Sequence, residues 1–219
     1  MVNLNYTYNS KKGLAREKNQ DRILILDQEG FYLFALFDGV SSMPYSYLFA
    51  ENIITKIRSK QAIINETGDN LDKLLYDVNK ELLTAGIKGS CTVSILFCGK
   101  YSDAVSFINL GDTRIYAFTN QFLESITIDD SPVGQDNVIT KFLGKPDLIL
   151  DDFKISSYRN NNNFLLCTDG FYKLMEGNLK EYFNAINFKN MVNIKKKIAY
   201  LQKGKNQDDS SYILIKHEI

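Results

Sequence analysis

Histidine is nearly missing from this chain. Of 219 residues, only His217 is a histidine, third from the end and beyond the last strand-like run. A Ser-His-Asp or Cys-His hydrolase would have to use it, and a zinc site built on several histidines is impossible. Cysteine is sparse and odd in number: Cys91, Cys98 and Cys167 all sit inside apolar runs, the pattern of reduced, buried thiols in a cytosolic protein. None opens a C-x5-R phosphatase loop, because Phe97, Ala104 and Lys173 stand where the arginine would be. Neither of the usual glycine-rich phosphate-cradling loops, G-x-x-x-x-G-K-[ST] or G-x-G-x-x-G, is present. Charge of one sign is not in excess either. Lys+Arg and Asp+Glu both number 26, which gives no support for a nucleic-acid surface; the basic run at 195–197 reads as the solvated face of a helix. The opening "MVNLNYTYNSKKG" has no signal-peptide pattern, and no apolar run approaches a membrane span. The expectation is therefore a cytoplasmic protein without a nucleic-acid or membrane partner, in which the sequons at Asn5 and Asn65 carry no meaning. Proline occurs only at 44, 132 and 146. With no Pro/Gly/Ser-rich linker and no internal repeat, residues 1–219 read as a single domain.

What is present is a large apolar fraction, 44%, arranged in two periods. Strand-like runs occupy 4–8, 23–26 and 31–37, the last two joined by the turn "DQEG". Leu71, Leu74, Leu75, Val78 and Leu82 then recur at helical spacing, after a first helix expected over about 45–59. A long β stretch follows: "CTVSILFCG", "AVSFINL", "RIYAFT", "FLESITI", "FKISSY" and "NFLLCT". A last helical region carries Met191, Ile194, Ile198 and Leu201, and the chain closes on the strand "SSYILIK". Neighbouring strands joined by short turns argue against a doubly wound parallel sheet. Two packed antiparallel sheets covered by helices would bury these faces.

Acids recur where the apolar runs stop. "FYLFALFDGVSS" ends its run on Asp38 and Gly39, "VSFINLGDTR" on Asp112, and "NFLLCTDGFY" on Asp169. Asp208, with Asp209 beside it, and Asp21 each stand just before a run. One Asp-Gly pair is an ordinary turn; five similar placements suggest side chains converging on the rim of a sheet. Gathered carboxylates repel one another and need cations to stay ionised. With histidine absent and the thiols buried, the ligands on offer are hard oxygens, which favours Mg2+ or Mn2+. Gly39 would let its own carbonyl approach an ion. Arg16, five residues before Asp21, offers a guanidinium fork that could hold a phosphate.

At this point the ordered blocks "GLAREKNQDR", "FALFDGVSS", "GSCTVSILF", "INLGDTRIYAF", "ITKFLG", "FLLCTDGFY" and "QDDSSYILI" together resemble the metal-dependent type 2C (PPM) protein serine/threonine phosphatases, in a compact bacterial-like form. They span Gly13 to Ile215. The resemblance implies an α+β fold, a four-layer αββα sandwich of two antiparallel sheets flanked by helices, with a metal site at one edge. It implies that Asp38 bridges two ions, that Gly39 offers its carbonyl, and that Asp169 and Asp208 complete the first site. Asp21 would be an acid beside the ions, Asp112 would hold a third, and Arg16 would bind substrate phosphate. The implied cofactors are Mg2+ or Mn2+, two ions or three. The implied activity is hydrolysis of phosphoserine and phosphothreonine by a metal-activated water. Catalysis would rest on Arg16, Asp38 and Asp169, with a phosphorylated protein as substrate, a cognate Ser/Thr kinase as partner, and a monomeric chain.

Three departures from the family pattern stand out. Gln20 replaces a common glutamate, Ser41 and Ser42 replace a Gly-Gly pair, and Val40 stands where some members carry a histidine. The segment 145–163, near a variable flap, is short. These departures are the support for an alternative, a catalytically weak or inactive regulatory module of the same fold. A metal-stabilised structural module is a third reading.

Overall fold

The computed structural model describes residues 2–102, 104–132, 134, 138–159 and 161–218. In chain order the elements are β1 (Leu4–Lys11), β2 (Arg22–Asp27), β3 (Phe31–Gly39), α1 (Ser46–Ser59), α2 (Leu71–Thr84), β4 (Cys91–Gly99), β5 (Ala104–Leu110), β6 (Arg114–Phe118), β7 (Leu123–Ser125), β8 (Ser156–Arg159), β9 (Asn163–Cys167), α3 (Asp169–Glu176), α4 (Leu179–Ile186), α5 (Met191–Leu201) and β10 (Ser210–His217). Two five-stranded sheets form, ordered β1-β10-β9-β6-β7 and β2-β3-β4-β5-β8, and every strand pair is antiparallel.

Three apolar layers hold four structural layers together. Between the sheets lie Phe34, Leu36, Leu96, Cys98, Ile213 and Ile215. Side chains one position along the same strands point the other way, as the period of two requires. Leu33, Ala35 and Ile95 therefore meet Ile53 of α1 and Leu74 and Val78 of α2. On the far side Leu165, Tyr212 and Leu214 meet Phe171, Tyr182 and Ile198 of α3, α4 and α5. This doubly covered position explains why β3 and β4 read as nearly unbroken apolar runs: β4 is buried along its whole length. The α2 face named from its spacing is the buried face, Leu71, Leu74, Leu75, Val78 and Leu82. Cys91, Cys98 and Cys167 are free and buried. Among the described residues no helix is long and apolar enough to cross a membrane.

The differences from the sequence reading are local. Asp169 does not end a strand; β9 stops at Cys167, and Asp169 is the first residue of α3, where a carboxylate meets the positive end of the helix dipole. "FLESITI" is a regular strand only over β7; just beyond it the Ile126 amide still donates to the Ile115 carbonyl at 2.9 Å, but the Ile115 amide donates to the Thr127 hydroxyl at 3.1 Å in place of a strand carbonyl. The short segment after residue 145 packs onto the sandwich, and the strand expected in "FKISSY" forms as β8. Leu148 and Phe153 are buried against the α1–α2 side of the core, and β8 pairs with β5.

Candidate active site

The C-terminal end of β3, the N-terminal end of β4, the turn after β5, the start of α3 and the approach to β10 all open on one edge of the sandwich. Arg16, Gln20, Asp38, Gly39, Thr92, Asp112, Asp169, Asp208 and Asp209 line a single cleft there of about 200 Å³. Asp21 is not in its wall. It lies beneath, 2% exposed, with one carboxylate oxygen accepting from the Thr168 hydroxyl at 3.2 Å.

Backbone contacts bring these distant segments together. A Cβ on Gly170 would lie 2.0 Å from the Asp209 carbonyl oxygen, so only glycine lets the first turn of α3 sit against the residues that carry Asp208 and Asp209. Gly39 is equally confined: a Cβ there would meet the Gln20 Cβ at 2.7 Å and the Ser46 Cβ at 3.0 Å. Asp209 ties down the N-terminal loop, its carboxylate accepting from the Gly13 and Gln20 amides, both at 2.8 Å. Ser46 secures the loop after β3, donating to the carbonyls of Val40 (2.9 Å) and Met43 (3.1 Å). Beside it Tyr45 takes a left-handed backbone, φ 65°, a strained conformation for a residue with a Cβ. The turn bearing Asp112 is held by Asp130, whose carboxylate accepts the Gly111 amide at 2.9 Å. Arg114 links that region to α3. It forks onto Asp129 at 3.0 and 2.8 Å, reaches Glu176 at 2.8 Å, and lies over the Tyr172 ring at 3.7 Å. The sequence reading named Asp209 beside Asp208, in "QDDSSYILI", without giving it a role; Ser46, Asp130 and Arg114 had none either, and of these three only Arg114 sits in a quoted motif, "INLGDTRIYAF".

The electrostatics follow from crowding. Burial, with repulsion from Asp21, Asp169, Asp112 and Asp208 added, holds the Asp38 carboxyl well above the usual carboxylate range. Burial pushes Asp21 up to about 7, repulsion from Asp209 and Asp169 adding to it while the nearby Ser211 and Thr168 hydroxyls oppose it. Burial again, with repulsion from Asp169 and Asp129, lifts Asp112 to about 6. Asp208 goes the other way. Burial would raise it, but the Arg16 fork and the Asp209 amide outweigh that and hold it below its ordinary value. That fork is bidentate, Nε and Nη2 each 2.6 Å from a different Asp208 oxygen. Asp169 accepts from Lys173 Nζ at 2.7 Å.

The donor set fits a hard divalent cation. One oxygen each of Asp21, Gln20 and Thr92 is buried without a hydrogen-bond partner, and carboxylates crowded enough to raise one another's pKa gain most from a neighbouring cation. Among the described residues, however, no three carboxylate, histidine or cysteine side chains stand together as a ready ligand set. Two of the cleft acids are already paired with cations, Asp208 with Arg16 and Asp169 with Lys173.

No protein-family model matches the chain, and no curated protein matches it. Solved structures do. The serine/threonine phosphatase Stp1 from Staphylococcus aureus superposes with a TM-score of 0.82 at 20% identity, covering 100% of this chain and 96% of that one. The S. agalactiae serine/threonine phosphatase gives 0.84 at 16% identity, over 99% and 100%. The catalytic domain of the serine/threonine protein phosphatase PstP, solved in complex with two manganese ions, gives 0.76 at 17% identity, over 99% of both chains. From end to end, this chain has the fold of these bacterial serine/threonine phosphatases.

Proposed function

We propose that residues 1–219 act as one divalent-metal-dependent phosphatase domain that hydrolyses phosphoserine and phosphothreonine in a protein substrate. The observation that carries this reading is the convergence of Asp38, Asp112, Asp169 and Asp208 with Arg16 in one cleft, over the buried Asp21. The shared fold supports it, as does the two-manganese complex of PstP.

Asp38, Asp169 and Asp208 would hold two Mg2+ or Mn2+ ions, with the Gly39 carbonyl and Asp21 beside them and Asp112 available to a third. Bound there, the ions would lower the pKa of the attacking water and supply positive charge to the phosphoryl oxygens. Arg16 would receive the phosphate. Its guanidinium already presents two N–H groups to two oxygens of one acid, the geometry that a phosphoryl group requires. The unpartnered Gln20 oxygen is a neutral donor where a carboxylate would add charge. The reading includes a cytoplasmic, monomeric chain, with which the three free, buried thiols accord, and a cognate Ser/Thr kinase that would supply the substrate.

The test is hydrolysis of p-nitrophenyl phosphate and of a phosphothreonine peptide, with Mn2+ and with EDTA. Turnover of both that EDTA abolishes is expected. Folded protein without metal-dependent turnover overturns the proposal.

A further inference from the structure

Lys173 has no part in the reading above, yet among the described residues it is one of two side-chain cations that touch the cleft carboxylates. It stands one helical turn after Asp169 on α3, and Nζ lies 2.7 Å from Asp169 Oδ2. The position is set by helix geometry: residues four apart share a face, and Asp169 occupies the first turn. The Asp169 side chain is 19% exposed and the Lys173 side chain 58%. The ammonium therefore reaches in from solvent to a carboxylate that is mostly enclosed. Partial burial works against its charge, and the charges of Asp169, Asp112 and Asp208 outweigh that and raise its pKa. Lys173 is thus held in the field of three of the acids that would ligate metal.

We propose that Lys173 is a built-in counter-ion that competes with the divalent metal for Asp169 and thereby sets the metal affinity of the site. The inference rests on the metal-dependent reading above. A cation arriving at Asp169 has to displace the ammonium or share a carboxylate with it, and sharing places like charges side by side. Arg16 imposes the same exchange at Asp208, where both carboxylate oxygens are taken at 2.6 Å. Metal loading is in this sense an exchange of cations. Arg16 has a second task with phosphate, so Lys173 is the position at which the competition can be altered by itself. Its exposure also means that replacing it leaves the core untouched.

The test is isothermal titration of Mn2+ into the wild type, Lys173→Met, Lys173→Arg and Lys195→Met. The last removes a lysine from the exposed face of α5 and serves as a charge control. Because partly exposed ion pairs are weak, the expected effect is modest: Mn2+ binds Lys173→Met about threefold to fivefold more tightly than the wild type. Lys173→Arg and Lys195→Met are expected to stay within about twofold of the wild type. An unchanged or weaker constant for Lys173→Met overturns the inference, the weaker one by making Lys173 a residue that orients Asp169 for metal. Equal tightening in Lys195→Met also overturns it, because overall charge would then be the cause. A wild type that binds no Mn2+ removes the metal-dependent reading and this inference with it. A wild type that binds, beside an unchanged Lys173→Met, removes this inference alone.

Discussion

Asp38 shows what the site demands of a single residue. It sits at the penultimate position of β3, opposite Thr92 on β4, so both side chains leave the sheet on the cleft side. Burial and four neighbouring acids disfavour its charge, the kind of environment that is common at functional sites. Asp38→Asn retains the shape and removes the charge. Turnover is expected to fall about 1,000-fold, the several kcal/mol that metal-assisted charge stabilisation supplies. The same variant is expected to melt at or above the wild-type temperature in EDTA, because repulsion is relieved. Steady-state kinetics and thermal melting together check the pair, and near-normal turnover would remove Asp38 from the metal site. Asp38, Asp112 and Asp169 stood out in the sequence because each follows an apolar run, and Asp208 because it stands just before one. Lys173 did not, because a lysine one turn into a helix is indistinguishable from any solvated charge until Asp169 is seen to start that helix. The sequence offered Arg16 as a candidate phosphate ligand, but its fork onto Asp208 spans 192 residues, and no local pattern announces such a pair.

At the scale of elements, legibility followed hydrophobic periodicity. The long strands and α2 carry it clearly. By contrast α3 and α4 are eight residues each, too short for a repeated face to stand out, and the sequence "CTDGFY" reads as a turn. What places α3 is a backbone contact. The Gly170 Cα packs on the Asp209 carbonyl so closely that a methyl group would lie 2.0 Å from that oxygen. Gly170→Ala therefore has to push α3 away from the approach to β10, which separates Asp169 from Asp208 and strains the docking of Phe171 against Tyr212, whose ring centroids are 4.9 Å apart. A destabilisation of about 3 kcal/mol is expected from overpacking, read as a lowered urea midpoint. Mn2+ affinity should weaken as well. A stability like that of the wild type would show that α3 can shift without disturbing its neighbours. Arg114 opposes such a shift, bracing the same helix from the far side through Glu176.

The whole molecule carries the consequence of crowding buried and partly buried acids at one edge of the sandwich. Two of them titrate near neutrality, Asp21 at about 7 and Asp112 at about 6, against an ordinary value near 3.9 in an unfolded chain. A carboxyl whose pKa is raised on folding contributes stability that is fully present below the unfolded value and lost as the pH rises through the folded one. Between about pH 4 and pH 7, these two groups therefore make the metal-free protein less stable with each step upward. Asp208 has a lowered pKa, and Asp152 likewise; their contributions are lost only below the ordinary carboxylate range, outside this window. A divalent cation binds the ionised carboxylates, so it opposes the loss where the loss is greatest. In EDTA the melting temperature is expected to be higher at pH 6 than at pH 8. With Mn2+ at about 100 times its dissociation constant, the linkage term is about 2.7 kcal/mol, or roughly 5–10 °C for a chain of this size. That gain is expected in full at pH 8 and reduced at pH 6, where protons compete for the same oxygens. Differential scanning fluorimetry at the two pH values, with and without metal, gives the four temperatures. A gain that is equal at both, or larger at pH 6, would mean that the cation binds somewhere other than among Asp21, Asp38 and Asp112.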